Sequence, residues 1–300
     1  MNETFLAVVN PAAGGGRWRK LIGPTLNRLR AGGISVEVVE TSRPGHASDI
    51  ARDAYARGSR KFIAIGGDGT SYEIINGLFP AQNASEPPTL AFLPLGTGNS
   101  FLREFSNRGV EHAMEALFAH RSRHCDVMRM RHAGGVIHYI NLLSMGFAAD
   151  VAALRARRFS TWGELGYQAS IFISLARLRR RPFPLRTDEG GEIDNRPCLF
   201  LTFNNSKFTG GSMMIAPKAE VNDGLIEYVR WGPIGRIGLI RNLPTLYDGT
   251  HLQHRLAERK SAKRIDFYLD GPVDVMVDGE VLRLRCQTLD VLPSALNVVV

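Results

Sequence analysis

Residues 62–78 read FIAIGGDGTSYEIINGL, an apolar run that stops at a glycine turn with one acid and continues with helical spacing. This pattern is typical of a buried strand followed by a helix. Similar turns follow apolar runs at two other places, NPAAGGGR at 10–17 and PLGTGN at 94–99. Strand and helix patterns alternate over residues 1–125, which predicts a parallel sheet covered by helices on both faces.

The second half of the sequence has a different residue pattern. Its segments from about residue 126 are short, often alternate between apolar and polar residues, and are separated by glycine-containing turns. This pattern predicts an antiparallel structure. Helical spacing interrupts it near 160–180 and near 235–259. We therefore expect an α/β domain over 1–125 and a second domain over 126–289, with the tail at 290–300 packing back on the first.

Composition and charge narrow the class of protein. The chain has 300 residues, of which 44% are apolar, so an ordered core is expected. A formal charge of +8 allows phosphates, nucleotides, nucleic acid or an anionic membrane as partners. Three widely separated cysteines argue against a disulfide framework or a zinc site and fit a reducing cytosol. The sequence shows no pattern typical of a signal peptide or a membrane span, so a soluble or peripheral protein is expected.

The three glycine turns are expected at the carboxyl ends of parallel strands, where such sheets bind ligands. Glycine lets the backbone approach an anion closely, and the start of the following helix adds partial positive charge. A tight connection would explain each turn alone, but three turns in equivalent positions favour a phosphate site. The sequence contains neither GxxxxGK[ST] nor GxGxxG with an acid about 20 residues further on.

Asp68 is the carboxylate inside the second turn. It would repel a phosphate unless a cation bridges the two groups or the acid handles a proton, so it indicates a nucleotide site with Mg²⁺ or a base nearby. The alternative is an aspartate that caps the following helix.

Five ordered motifs together resemble the diacylglycerol kinase catalytic-domain family, which includes bacterial soluble lipid kinases and the sphingosine and ceramide kinases. The motifs are NP with GGGR at 10–17, GGDGT at 66–70, PLGTGN at 94–99, NDGL at 222–225 and DGE at 278–280. The resemblance extends from residue 4 to about 295. GGDGT alone would be less specific, because NAD kinases and phosphofructokinases also carry it.

The resemblance implies an ATP- and Mg²⁺-dependent lipid kinase, with the active site in a cleft between a Rossmann-like α/β domain and a β-sandwich. It assigns Mg²⁺ to the Asp223 carboxylate with backbone oxygens of Glu220 and Leu225. It makes Glu280 or Asp278 the proton acceptor. We expect Asp68 to be the third catalytic acid, which organises the nucleotide and the metal. The implied ATP contacts are Asn10, Pro11, Ala12, Ala13, Gly14, Thr41, Gly67, Asp68, Gly69, Thr70, Ser71, Tyr72, Glu73, Thr97, Gly98 and Asn99.

One position departs from the family pattern. Ser100 stands where many bacterial relatives have Asp after GTGN. The departure leaves open how this loop meets metal or substrate.

A basic amphipathic stretch, GELGYQASIFISLARLRRRPF at 163–183, is the candidate lipid contact. Its apolar face and terminal arginines are typical of a helix at an anionic membrane surface or at a lipid entry slot. A core helix with a solvated basic end is the alternative. Arg155, Arg157 and Arg158 lie just upstream and favour the membrane interpretation.

The hypothesis from sequence is a kinase that phosphorylates a hydroxyl of diacylglycerol or a similar lipid alcohol. We expect a cytoplasmic protein, in peripheral contact with the inner membrane face, that serves lipid metabolism and phospholipid biosynthesis; a homodimer is left open. One alternative is another GGDGT-type kinase that phosphorylates NAD. Another is a non-catalytic protein that binds nucleotide or lipid. Nucleic-acid binding is disfavoured, because no basic stripe with interleaved aromatic residues is present.

Overall fold

The chain divides into two compact units in a computed structural model that describes residues 4–11, 19–79, 86–94, 100–159, 162–188, 191–210 and 212–300. The first unit comprises Met1–Val127 and Leu292–Val300, and the second comprises Met128–Val291. The last residues of the chain therefore belong to the first unit.

The first unit alternates strands and helices. Its strands are short apolar runs, and all five residues of the first strand are buried. The elements are β1 Phe5–Val9, α1 Arg19–Ala31, β2 Val36–Glu40, α2 His46–Ala56, β3 Lys61–Ile65, α3 Asp68–Leu78, β4 Thr89–Leu93, a 3-10 turn Leu102–Glu104 and α4 Val110–Phe118. β5 Ser122–His132 contains the boundary between the two units.

The second unit consists mainly of strands, with helices inserted at two places. The elements are β6 Gly135–Tyr139, β7 Leu142–Gly146, α5 Phe147–Arg158, α6 Gly163–Ala176, β8 Leu185–Thr187, β9 Phe200–Asn204, β10 Phe208–Thr209, β11 Met213–Met214, β12 Ile226–Trp231, α7 Arg236–Asn242, α8 Thr245–Asp248, a 3-10 turn Thr250–Gln253, β13 Ala257–Ala262, β14 Arg264–Phe267, β15 Val273–Val277, β16 Glu280–Leu284 and β17 Cys286–Val299.

The sheet of the first unit has the order β2-β1-β3-β4-β17, and each neighbouring pair is parallel. Val9 pairs with Ile65, and Ile65 pairs with Leu93. These three residues end β1, β3 and β4. The loops that follow the three strands therefore begin at one edge of the sheet.

The main sheet of the second unit has the order β13-β12-β9-β7-β15-β16, and its pairs are antiparallel. β14 pairs antiparallel with β8 and with the first part of β17. The predicted fold class is confirmed: a parallel α/β unit is combined with an antiparallel one.

Helix prediction in the second half was partly wrong. A helix was expected near 160–180, and α6 lies there, but α5 was not predicted. Residues 235–259 do not form one helix: they form α7, α8 and a 3-10 turn, and β13 begins at Ala257. Pro244 lacks the N–H needed to continue α7, and Gly249 ends α8 in the left-handed region with φ 77°. In the described part of the chain, no helix has the length and apolarity needed to cross a membrane.

Each unit has its own apolar core. In the first, the sheet residues Val9, Ile65 and Leu93 pack with Leu29 of α1 and Leu117 of α4. Burying a side chain of this size contributes roughly 1.5–3 kcal/mol. The ends of the three strands are therefore held by a packed core.

Candidate functional site

The turn between β3 and α3 is built from two glycines. β3 ends at Ile65 and α3 begins at Asp68, so Gly66 and Gly67 make the whole connection. A Cβ on Gly66 would overlap Thr70 Oγ1 and lie 3.0 Å from Thr70 Cβ, so only glycine fits there without a shift. Gly67 occupies the N-cap position in an extended conformation and supplies no side-chain cap. The first amides of α3 are thus at the carboxyl edge of the sheet, next to a backbone without side chains.

Thr70 provides the observation that best tests whether a phosphate fits this turn. Its side chain is 3% exposed, and among the described residues its Oγ1 has no hydrogen-bond partner. A buried hydroxyl without a partner is costly unless a ligand or water completes it. Helix N-terminal amides attract anions through their orientation and the helix dipole. The group that completes this arrangement most naturally is a phosphate oxygen.

Asp68 is the first residue of α3 and does not cap it, because Gly67 holds the N-cap position. Burial raises the pKa of the Asp68 carboxyl from its ordinary 3.8 to about 6, and hydrogen bonds from Ser100 oppose that rise. The backbone N–H of Ser100 donates to Asp68 Oδ2 at 3.4 Å. A carboxyl with this pKa is poised to respond to a cation or a proton near neutral pH.

Hydrogen bonds within the first unit connect the strand ends at which the predicted loops begin. Asn10 N–H donates to Ile65 O at 3.1 Å, and Thr41 N–H donates to Val9 O at 2.8 Å. Together with the contact between Asp68 and Ser100, these bonds place the ends of β1, β2, β3 and β4 along one edge. Asn10, Pro11, Thr41 and the 67–73 segment lie in the described part of this edge. The predicted contacts at Ala12, Ala13, Gly14, Thr97, Gly98 and Asn99 lie outside the described residues.

Glu73 has a structural role that the sequence did not predict. Its carboxylate accepts the backbone N–H groups of Gly45 at 2.8 Å and Ala47 at 3.0 Å, and its carbonyl accepts the Ser48 hydroxyl at 2.6 Å. These bonds join α3 to the start of α2. A direct contact between the Glu73 carboxylate and a nucleotide would compete with them.

The remaining predicted nucleotide residues of α3 lie in its first turns. Ser71 is buried, and its hydroxyl donates to Asp68 O at 2.8 Å. Tyr72 O accepts Asn76 Nδ2 at 2.9 Å. Gly69 is partly buried between Asp68 and Thr70. Ser71 therefore steadies the turn that carries Asp68.

In the second unit, Asp278 opens the two-residue turn between β15 and β16. It has φ 45° and Gly279 has φ 88°, the pair of left-handed residues that a tight hairpin requires. Its side chain is buried, with only 5% exposed. Its carboxylate accepts three backbone N–H groups, from Ile140 at 3.0 Å, Asn141 at 3.1 Å and Leu142 at 2.9 Å. Asp278 therefore anchors the loop between β6 and β7.

Glu280 lies two residues further on and begins β16, where it is exposed. Of the two acids predicted as proton acceptors, only Glu280 is presented to solvent. Asp278 fixes the hairpin from which Glu280 projects.

A buried polar cluster that sequence analysis missed holds the same β6–β7 loop from its other side. Asn205 donates from its backbone to Asn141 O and from its side-chain Nδ2 to Ile140 O, both at 2.8 Å. The Ser206 hydroxyl donates to Asn141 Oδ1. The available signal was the asparagine pair that follows the apolar strand LFLTF. These bonds and those of Asp278 fix residues 140–142 on both sides.

The predicted metal turn is a compact loop with an exposed carboxylate. Asp223 Oδ1 accepts Leu225 N–H at 2.9 Å, and Gly224 between them has φ 72°. Glu220 is exposed as well. Across the residues that the structure describes, no three His, Cys, Asp or Glu side chains form a metal-binding group. One carboxylate with main-chain oxygens is nevertheless a donor set suited to Mg²⁺, which prefers oxygen and retains waters.

Comparison with known proteins covers almost the whole chain. Residues 4–130 match the family model described as diacylglycerol kinase catalytic domain, and residues 141–300 match the YegS C-terminal NAD kinase beta sandwich-like domain. A diacylglycerol kinase of Mycobacterium tuberculosis is 26% identical over 296 residues, covering 97% of this chain and 93% of that protein. One from Bacillus subtilis is 26% identical over 299 residues, covering 96% and 95%.

The fold also occurs among solved structures. A Bacillus anthracis protein of known crystal structure has a TM-score of 0.79 at 22% identity, with 99% of this chain and 95% of the other covered. Both units therefore have counterparts of the same fold.

Proposed function

Since the chain belongs to the diacylglycerol kinase catalytic-domain family and is a kinase, we propose that it transfers the γ-phosphoryl group of ATP to a hydroxyl of diacylglycerol or a similar lipid alcohol, with Mg²⁺ as cofactor. One observation carries the proposal. The turn before α3 combines glycines, helix N-terminal amides and the buried Thr70 hydroxyl, which has no partner within the described residues.

The nucleotide phosphates would lie on this turn. The backbone N–H groups of Gly67, Asp68 and Gly69 and the Thr70 hydroxyl are the donors available to phosphate oxygens, since the Thr70 N–H already donates to Gly67 O at 3.0 Å. The segment that starts at Asn10 begins at the same sheet edge. Phosphoryl transfer needs little covalent work from a protein, so positioning of this kind supplies much of the catalysis.

Asp223 would hold Mg²⁺ with backbone oxygens of Glu220 and Leu225. The hydrogen bond from Leu225 N–H to Asp223 Oδ1 fixes the turn that presents these oxygens. When bound, the ion supplies neutralisation of the charge that develops on the phosphates. Asp68 would organise the nucleotide and its cation, which agrees with its raised pKa.

Glu280 would accept the proton of the lipid hydroxyl. As that proton leaves, the hydroxyl oxygen forms a bond to the γ-phosphorus, and the bond from the γ-phosphorus to the β,γ-bridging oxygen breaks to release ADP. The exposure of Glu280 supports this role, because an acceptor must reach its substrate. Asp278 would act as a positioning residue, since its carboxylate already accepts three backbone N–H groups.

The test is mass spectrometry of a total lipid extract incubated with the protein, ATP and Mg²⁺. We expect one class of lipid alcohol to gain a phosphate, and Asp68→Ala or Glu280→Ala to reduce that gain by orders of magnitude. NAD is offered in a parallel reaction, because the second matched model is NAD kinase-like. Phosphorylation of NAD alone, ATP binding without transfer to any lipid, or unchanged transfer by both variants would overturn the proposal.

A further inference from the structure

Helices α6, α7 and α8 of the second unit leave large apolar side chains exposed to solvent. On α6, Leu165 is 76% exposed and Phe172 is 67% exposed. On α7, Ile237 is 68% exposed and Ile240 is 52% exposed, and Tyr247 of α8 is 56% exposed. A surface helix ordinarily turns polar residues outward. Clustered exposed apolar side chains therefore indicate a partner.

These segments are neighbours with a common inner core. The Arg236 guanidinium at the start of α7 donates to Leu175 O at 3.0 Å and Ala176 O at 2.7 Å, at the end of α6. Leu175, Leu239 and Leu246 pack into the same apolar cluster. Their inner faces are thus occupied, and the exposed apolar residues lie on the outer sides of helices that share one core. We call these residues, Leu165, Phe172, Ile237, Ile240 and Tyr247, the α6–α7 face.

Exposed arginines lie in or next to the helices that carry the α6–α7 face. Arg158, Arg177, Arg180 and Arg241 are exposed, and the structure gives none of them an ion pair with any described residue. By contrast, the positive charge of the nearby Arg157 is paired, since its guanidinium lies 2.7 Å from the Asp274 carboxylate. The helices of the α6–α7 face therefore combine exposed apolar side chains with positive charge that no described residue pairs.

We propose that the α6–α7 face docks on an anionic lipid bilayer, with Leu165, Phe172, Ile237 and Ile240 entering the interface and the arginines binding lipid phosphates. This chemistry matches an apolar interior beneath a negatively charged surface. A second copy of the chain fits less well, because a two-fold contact through these helices would bring the unpaired arginines of both copies together. The inference deepens the proposed function and rests on it for one point, that the lipid substrate resides in the bilayer.

The first experiment is cosedimentation of the full-length protein with phosphatidylcholine vesicles containing 0% or about 30% phosphatidylglycerol. We expect binding to anionic vesicles and little binding to neutral ones. Each arginine near such a surface contributes about fivefold in the partition coefficient. The double variant Arg177→Gln/Arg180→Gln should therefore bind about 25-fold more weakly. High salt should produce a similar loss in the wild type by screening.

Apolar contacts are tested with the triple variant Phe172→Ser/Ile237→Ser/Ile240→Ser, which should reduce binding at least tenfold. The matched control is Leu21→Ser/Val136→Ser, which removes exposed apolar side chains outside the face, at 54% and 44% exposure. The control should bind like the wild type. Circular dichroism confirms that each variant is folded.

A short-chain diacylglycerol that is monomeric in solution separates the docking proposal from the kinase proposal. The triple variant should phosphorylate this soluble substrate like the wild type but lose activity on vesicles. Vesicle binding by a wild type that phosphorylates no lipid would overturn the kinase proposal and leave docking supported. Docking is overturned if the variants bind vesicles normally, or if the triple variant instead abolishes a dimer seen in size-exclusion chromatography.

Discussion

Replacing Asp278 should damage stability and activity together, whereas replacing Glu280 should damage activity alone. The comparison uses Asp278→Asn and Glu280→Gln, two changes that each remove a negative charge with little change in shape. Asn also tolerates the left-handed backbone of position 278, where φ is 45°. The two acids are separated by one glycine, so each variant is a close control for the other.

The expected magnitude follows from the hydrogen bonds. The Asp278 carboxylate accepts N–H groups from Ile140, Asn141 and Leu142 in a buried site. An amide keeps one acceptor oxygen, so at least one buried N–H would face an NH₂ group. A hydrogen bond to a charged group contributes about 1.5–3 kcal/mol, and the two remaining bonds would weaken. We expect Asp278→Asn to lower the free energy of unfolding by about 2–4 kcal/mol.

The assay is urea unfolding followed by fluorescence, paired with initial rates of lipid phosphorylation. Glu280→Gln should unfold within about 0.5 kcal/mol of the wild type, because its side chain is exposed. Its rate should fall at least 100-fold, since a positioned base contributes roughly that much. Asp278→Asn should lose both stability and rate.

Two results would refute this reasoning. If Asp278→Asn is as stable as the wild type, its hydrogen bonds do not anchor the β6–β7 loop. If Glu280→Gln keeps its rate, Glu280 is not the proton acceptor.

Two further predictions concern the β3–α3 turn. Gly66→Ala should lower the free energy of unfolding by about 1–3 kcal/mol and weaken ATP binding, because the new Cβ would overlap Thr70 Oγ1. The control is Gly23→Ala in α1, where a Cβ meets nothing within 4 Å, so this change should be neutral or stabilising. Urea unfolding measures stability and calorimetric titration measures ATP binding; equal effects of the two variants would contradict the packing argument. Asp68→Asn should change the pH dependence of stability, because the pKa of Asp68 is raised from 3.8 to about 6. The folded state holds that proton more tightly, so the stability it contributes is present below pH 4 and is lost as the pH rises through 6. The variant should unfold like the wild type near pH 4 and be more stable by about 3 kcal/mol at pH 7.5, because each pKa unit corresponds to about 1.4 kcal/mol. A difference independent of pH would contradict this.

Local sequence patterns were sufficient for the framework of the first unit. The apolar runs before GGDGT and PLGTGN end at paired residues of a parallel sheet, as the alternation of strand and helix predicts. The first residue of α3 was harder to predict from the sequence pattern. Its apolar spacing begins after Ser71, but the helix begins at Asp68, because Gly67 provides the N-cap position. The capping alternative for Asp68 was wrong for the same reason.

The long-range hydrogen bonds could not be predicted from one sequence. The bonds from residues 140–142 to Asp278 join positions more than 130 residues apart, and only the folded chain brings them together. The Glu73 carboxylate is similar, since its partners Gly45 and Ala47 lie at the start of another helix, α2. The sequence predicted short strands separated by glycine-containing turns in this half, and the Asp278–Gly279 turn is one of them. It did not indicate which loop the carboxylate would bind.

The most direct test of the account is hydrogen–deuterium exchange with and without a non-hydrolysable ATP analogue and Mg²⁺. If nucleotide phosphates lie on the start of α3, the amides of residues 67–69 should exchange more slowly when the analogue is bound, and Gly66→Ala should abolish that protection. Protection confined to other segments, with residues 67–69 unchanged at saturating analogue, would contradict the account.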